Sequence, residues 1–428
     1  PTSPEIIYER FREWVLPYPK GNIHPRFFSW VQGNGTMLGM LADMLASGLN
    51  PNVSIGDHSA MYVDQQVISW CKELFGFPAG AGGMLVSGGT IANLVAMIVA
   101  RNAYQDGVVK QQGLYAHDGQ LVVYGSTETH NCLDKAVQTI GIGLDNYRKI
   151  PVGDDFRIQL PLLREQIRRD RAAGMQPFCI IGNCGTVNTG AIDPLDELLA
   201  LARAENVWFH VDGAFGSLAK LVPAYAQQLH AIEAADSLAF DLHKWLYVNY
   251  EVGGVLIRRE ELQRQAFTQE ASYLVQHERG LAAGPPALTN LGPELSRGFK
   301  ALKVWMSFQE HGLEKYRQLI QQNIEQAFYL GDQIKRNPPL ELLTPVTLNI
   351  VCYRYNPGGL SNEQLNTLNK ELLMQLQEKG IAAPSYTVLE GQYAIRVNIT
   401  NHRTRTADLD ALVEGSLTLG KTIFPAGE

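Results

Sequence analysis

The chain has 428 residues, 45% of them hydrophobic, enough for a large core of the kind that usually divides into more than one domain. Thirty-six basic against 43 acidic residues leave a net charge of −7, so no broad positive field exists for a polyphosphate backbone and no nucleic-acid partner is expected. No run approaches the roughly 20 apolar residues that cross a bilayer, PTSPEIIYERF is not ordered like a secretion signal, and Cys71, Cys132, Cys179, Cys184 and Cys352 form no C-x-x-C pair, so a soluble cytoplasmic protein with reduced thiols and no membrane partner is expected.

From about residue 80 to 260, β-rich runs alternate with helical periodicity, which predicts a mainly parallel sheet covered by helices. Ser87-Gly88-Gly89-Thr90 leads into the helix IANLVAMIVARNAY, with Thr90 as its cap and Ile91, Leu94, Val95, Ile98 and Val99 on one face. Strands follow at 121–124, 178–181, 207–211 and 237–240. Between the second and third, Asp193 reads as an N-cap and Pro194 as the first helical residue of LDELLALARAEN. Residues 301–332 read as one long helix. After it, strand-like LNIVCYRY, helical ELLMQLQEKG and strand-like YAIRVNI suggest a smaller α+β domain. The chain carries no internal repeat and no Ser/Gly linker, so the domains are expected to pack tightly.

The most informative segment is Asp241-Leu242-His243-Lys244-Trp245, directly after a predicted strand. Burying an unpaired ammonium costs several kcal/mol, whereas a lysine that forms a Schiff base is activated by the same desolvation. Alone, Lys244 reads more readily as an ion-paired or snorkelling side chain, so the position needs company. Asp212, in HVDGAFG, ends another apolar strand 32 residues earlier, and strand C-terminal ends converge on one crevice in a doubly wound sheet. A carboxylate there can keep a pyridinium nitrogen protonated, with Gly213 and Ala214 leaving room for a flat ring. A helix cap or a metal ligand is the competing reading, but a metal needs a second clustered ligand and none is expected. Gly88, Gly89 and Thr90 at a helix N-terminus suit a phosphate, although the same residues serve as an ordinary turn. His130, after LVVYG, can stack on a flat cofactor or be a satisfied structural histidine. Thr186, after CIIGNCG, is a hydrogen-bond candidate or a turn residue.

Taken in order, HPRFF, SGGTIANL, THNCLDKA, GTVNTGAIDPL, HVDGAFG, DLHKWL and GFKALKVW resemble the group II pyridoxal-phosphate (PLP)-dependent amino-acid decarboxylases, the family of aromatic-L-amino-acid, histidine and glutamate decarboxylases. The resemblance runs through nearly the whole chain. It implies a PLP-dependent transferase fold of type I: an α/β chain with a mainly parallel, seven-stranded-type sheet and a smaller C-terminal α+β domain, assembled as a homodimer with shared active sites. The expected divisions are 1–34, lining the pocket and the dimer interface, 35–305, the large PLP-binding domain, and 306–428, the small domain. It further implies that Lys244 is the Schiff-base lysine, that Asp212 meets the pyridine nitrogen, and that His130 and Ala214 cover the two ring faces. Gly88, Gly89, Thr90 and His243 would hold the phosphate, Thr186 would lie near the cofactor, and Phe28, Trp30 and Arg396 would line the substrate pocket, with Arg396 readable as a contact for a substrate carboxylate or as a structural residue. The implied catalytic set is Lys244, His130 and Asp212, and the implied reaction converts an L-amino acid to an amine and carbon dioxide.

Two departures qualify the product and the substrate. Family members present a loop tyrosine after the lysine strand as proton donor, yet HERGLAAGPPALTNLGPELSRGF has none and an ungapped match places Leu288 there. In the family that loss accompanies oxidative formation of an aldehyde, so an aldehyde synthase and a catalytically weak PLP-binding homologue stand as alternatives to the decarboxylase. The pocket segment Ser29-Trp30-Val31-Gln32-Gly33 is more polar than in aromatic-specific members, which leaves the substrate open.

Overall fold

The computed structural model describes residues 1–114, 119–269 and 277–423. Among the described residues twelve strands run in chain order: β1 Phe27–Phe28, β2 Gly82–Val86, β3 Leu121–Ser126, β4 Tyr147–Ile150, β5 Gln176–Asn183, β6 Trp208–Asp212, β7 Ser237–Asp241, β8 Gly253–Ile257, β9 Leu340–Leu342, β10 Ile350–Tyr355, β11 Ala383–Leu389 and β12 Gln392–Asn398. Seven form one sheet in the order β2-β8-β7-β6-β5-β3-β4, parallel except that β8 is antiparallel to both its neighbours. The other five form the order β1-β11-β12-β10-β9. This is the α/β architecture, with a smaller C-terminal α+β part, that the resemblance implies.

Apart from half-buried Gln176 at the start of β5, the central strands are buried on both faces, which is why they read as continuous apolar runs. All four predicted strands are present. β2, β4 and β8 were not predicted, because glycines and the polar residues of Tyr147–Ile150 dilute the apolar signal in short runs. Strand ends fix the site. β3, β5, β6 and β7 are parallel, so their C-terminal residues Ser126, Asn183, Asp212 and Asp241 share one edge. β8 enters that edge antiparallel, with Gly253 opposite both Asp241 and Val86.

Three local expectations need correction. Thr90 is not a cap: the helix Gly89–Ala103 has Gly88 at its N-cap and no side-chain capping bond, so Thr90 stands exposed within the first turn. Its most buried face is Ala92, Val95, Ala96 and Val99, with Ile91, Leu94 and Ile98 only partly covered, because small residues let the helix lie close to the sheet. Asp193 is not a helix cap either. Its carboxylate accepts from the Ile158 and Asn183 backbone N–H groups and from the Asn183 side chain, and Pro194 stands at the N-cap of Leu195–Ala204.

The predicted long helix spans Ala301–Arg336 but breaks at Gly312, whose φ of 65° leaves the helical region. Its buried residues change core along the way. Ala301, Val304, Tyr316, Ile320 and Ile324 belong to the larger core, while Ala327, Leu330 and Ile334 belong to the smaller one. The expected division at 305/306 therefore falls inside a helix that serves both bodies, and residues 424–428 of the expected small domain lie outside the described residues. The smaller core is closed by Asn362–Glu378, started by a capping box between Ser361 and Gln364, and by Thr406–Ile423. Among the described residues no helix is long and apolar enough to cross a membrane.

Candidate active site

At the C-terminal edge of the large sheet lies a cavity of about 400 Å³. Trp30, Gly88, Gly89, Thr90, His130, Asp212, Ala214, His243 and Lys244 all line it, so the structure brings together nine site residues singled out from the sequence. Asp212 is 7% exposed and its Oδ1 accepts from the Ala214 N–H at 3.2 Å. Burial is the main influence on Asp212 and raises its pKa above the usual carboxylate range, against the opposing charges of Lys244 and His130. His130 Nδ1 accepts from the Cys132 N–H at 3.1 Å, which leaves Nε2 to carry the proton of the neutral ring. Burial lowers the His130 pKa, with Asp212 pulling the other way.

The glycine turn is shaped by close approach. A Cβ on Gly88 would lie 3.0 Å from the His243 ring, and one on Gly89 would lie 3.0 Å from Asp241 Oδ2 and 3.3 Å from the Ala214 Cβ. With no side chain on the helix cap, the first N–H groups of Gly89–Ala103 remain available at the cavity wall. An amine, a buried carboxylate, an imidazole and an uncapped helix N-terminus beside a glycine cradle fit the aldehyde, ring nitrogen, ring face and phosphate of PLP.

Three sequence-derived site residues, Phe28, Thr186 and Arg396, are not on the cavity wall. Phe28 is 1% exposed and packed in the smaller core, away from the cavity wall. Thr186 is 2% exposed with its hydroxyl on that of Thr189 at 3.1 Å, and Gly185 lines the cavity in its stead. Arg396 is 2% exposed and donates to the Trp30 carbonyl at 2.9 Å and the Asn188 carbonyl at 3.1 Å. Leu288 is buried, with its N–H on the Ser54 carbonyl. Trp30 does line the cavity, in a left-handed backbone conformation with φ 54° that Ser385 and Arg396 pin from both sides. Gly33 explains how its segment gets there: a Cβ would lie 1.9 Å from the His243 carbonyl oxygen, so glycine lets the N-terminal segment press against the lysine turn.

Sequence reasoning missed Asp241, Cys132, Val187, Phe215 and Glu251 on the cavity wall. Asp241 carried the same signal as Asp212, a carboxylate at the C-terminal end of an apolar strand. Its Oδ2 lies 2.7 Å from Lys244 Nζ. The Lys244 side chain is 22% exposed. Burial alone lowers its pKa, but the charge and hydrogen bond of Asp241, with Asp212 behind them, outweigh that and carry it above the ordinary lysine value.

Cavity, glycine turn and strand-end lysine define a PLP enzyme of the α/β type. The chain belongs to the pyridoxal-dependent decarboxylases: the model of the pyridoxal-dependent decarboxylase conserved domain matches residues 1–356. It is 37% identical to an aromatic-L-amino-acid decarboxylase of Bacillus atrophaeus over 90% of this chain and 79% of that protein. It is 29% identical to a phenylacetaldehyde synthase of Arabidopsis thaliana over 93% of this chain and 82% of that one. The fold matches the crystal structure of Catharanthus roseus tryptophan decarboxylase with a TM-score of 0.88 at 24% identity, covering 99% of this chain and 89% of that chain. The protein is therefore a PLP-dependent amino-acid decarboxylase.

Proposed function

We propose that the enzyme decarboxylates an aromatic L-amino acid to its amine, with Lys244 carrying the cofactor, Asp212 keeping its ring nitrogen protonated and His130 covering a ring face. Gly88, Gly89 and Thr90, with His243, receive the phosphate. When bound, PLP supplies the electron sink for the pair left behind as the carboxylate departs. His130, protonated on Nε2, is the cavity group placed to hold a proton for that carbon.

The observation that carries the substrate class is the disposition of Arg396. Its Nε donates to the Asn188 carbonyl and its Nη1 to the Trp30 carbonyl, which seats the Trp30 backbone at the cavity, while its Nη2 is buried off the cavity wall without a partner among the described residues. Val31, Val187 and Phe215 continue the apolar wall, and the Glu251 carboxylate is engaged by Lys300 at 3.6 Å. The B. atrophaeus relative supports the same class. Steady-state assays across aromatic, acidic and basic L-amino acids test it, and an aromatic substrate should lead by on the order of 100-fold in kcat/KM. An acidic or basic amino acid turned over as fast as the best aromatic one would overturn it.

A second reading, aldehyde formation, is favoured by the absence of tyrosine from 277–299 and by the similarity to a phenylacetaldehyde synthase. Ammonia and peroxide released in step with carbon dioxide would establish it, and amine as the sole organic product would remove it.

The reading includes a homodimer in the cytoplasm. Pro4–Trp14 buries none of its residues and exposes Ile6, Ile7, Tyr8, Phe11 and Trp14, while Met37–Leu49 exposes Met37, Met40, Met44, Leu45 and Leu49. A surface this apolar is one that a second copy covers. The five cysteines are free and buried, which suits a reducing compartment.

A further inference from the structure

A second cavity, of about 410 Å³, opens where the helix Ser59–Phe75 meets the kink of Ala301–Arg336. Its size falls within the roughly 300–1,000 Å³ of small-molecule sites. It shares no lining residue with the catalytic cavity, and none of its residues lies on Pro4–Trp14 or Met37–Leu49, the helices assigned to the dimer face. Gly312 makes the space. With φ at 65° it breaks the helix, and a Cβ there would meet nothing within 4 Å, so glycine serves the turn of the backbone and not close packing. Phe308 and Leu313 flank the break. The Phe308 ring stands 6.0 Å from that of Trp70, tilted by 38°, and Leu74 and Leu221 complete an apolar wall. Both rings are only partly buried and Leu313 is 45% exposed, so the core does not consume this surface.

The polar part of the lining decides what fits. Glu73 is the one charged side chain among the lining residues, it is exposed, and no lysine, arginine or histidine pairs with it among the described residues. Neighbouring cations are committed elsewhere: Lys72 donates to the Ala79 carbonyl, Lys220 pairs with Glu233, and His311 lies against Glu310 at 3.5 Å. A carboxylate beside two aromatic faces recognises a cation carried on an aromatic group. The ring packs against Trp70, Phe308 and the leucines, while the positive charge meets Glu73 and the ring faces. An amino acid with the same ring would bring its own carboxylate up to Glu73, and no cation among the lining residues would receive it.

We propose that this cavity is a separate binding site for a small aromatic ammonium ion, the chemical class of the amine released from an aromatic amino acid, and that it takes the amine in preference to the amino acid. The site thus tells product from substrate outside the catalytic centre. The ligand class follows from the cavity's own lining, so the inference stands whichever amino acid the enzyme turns over.

Equilibrium dialysis of radiolabelled phenethylamine tests it, against PLP-loaded enzyme reduced with borohydride so that no competitor is turned over. Wild type should bind an extra equivalent per chain compared with Leu313→Lys, in which an ammonium at an exposed position answers Glu73 from within. Glu73→Gln should weaken the extra binding about three- to fivefold, the range of an exposed ion pair. Neutral phenethyl alcohol and L-phenylalanine should displace it about fivefold or more less well than unlabelled amine. Neither variant changes a residue of the catalytic cavity, so before reduction both should keep the wild-type visible spectrum and turnover, which checks their folding. Equal amounts of bound amine in wild type and Leu313→Lys, unchanged affinity in Glu73→Gln, or displacement by the alcohol or the amino acid as effective as by the amine overturns the inference. A wild type that binds the extra amine but prefers an acidic or basic amino acid as substrate sinks the proposed substrate class and leaves this site standing.

Discussion

Gly253→Ala perturbs the site without replacing any group assigned to its chemistry. The added methyl would start 2.3 Å from Asp241 Oδ1, 2.7 Å from the Gly88 Cα and 3.0 Å from the Gly88 carbonyl carbon. Ordinary contact begins near 3.4 Å, so β8 and the glycine turn must separate by about 1 Å, and two of the three obstructing atoms are backbone that cannot swing aside. Overpacking of this kind costs about 1–3 kcal/mol. The turn forms the cavity wall, so the separation falls on the cofactor site, and at about 1.4 kcal/mol per tenfold the dissociation constant for PLP should rise roughly 5- to 150-fold. The assay is an absorbance titration of stripped enzyme, run beside Gly80→Ala, whose methyl would meet nothing within 4 Å. If Gly253→Ala binds PLP as tightly as wild type, the glycine turn is not the cofactor-binding edge.

Asn323→Ala removes the shared acceptor of the Trp245 indole N–H at 3.1 Å and the Tyr247 hydroxyl at 2.8 Å, leaving two buried donors unpaired. Urea unfolding should show a loss of about 2–4 kcal/mol, and a loss near zero would mean the lysine segment is not anchored through this asparagine. His210 is fully buried between Asn93 and Ser237, and burial pushes its pKa from 6.5 down to about 3. The unfolded chain takes up its proton below pH 6.5 while the folded one does not, so stability present above pH 6.5 is lost as pH falls toward 3. At pH 5 the loss should be about 2 kcal/mol in wild type and absent from the His210 term in His210→Gln, as read from urea midpoints at pH 7.5 and 5. Met44→Glu places a charge on the exposed apolar face of Met37–Leu49 and should halve the mass seen by light scattering; an unchanged mass would place the dimer interface elsewhere.

The sheet was legible because its central strands are buried on both faces and stand as unbroken apolar runs, and because a carboxylate or a lysine at the end of such a run is conspicuous. That logic found Asp212 and Lys244, but reading β7 one residue short left Asp241 without a role. β8 escaped because Gly253 and Gly254 are required by the close approach of Gly88 and Phe240, and glycine is a weak strand signal. Phe28 was legible as belonging to the pocket region but not as a support, and Arg396 was legible as either a substrate contact or a structural residue. Whether an aromatic ring or a guanidinium faces a ligand or a core depends on tertiary partners, here the smaller core for Phe28 and two carbonyls for Arg396. Asp193 shows the same limit for caps, since a side-chain hydrogen bond can turn toward another segment as readily as toward the adjacent helix.

The account stands on Lys244 as the residue that carries the cofactor. Borohydride reduction of the PLP-loaded enzyme, followed by peptide mass mapping, makes that linkage permanent and locates it. The phosphopyridoxyl group should be found on the peptide containing DLHKW, at Lys244, and should vanish from it in Lys244→Ala. A modification at any other lysine, or none in an enzyme that still turns over amino acid, would contradict the account.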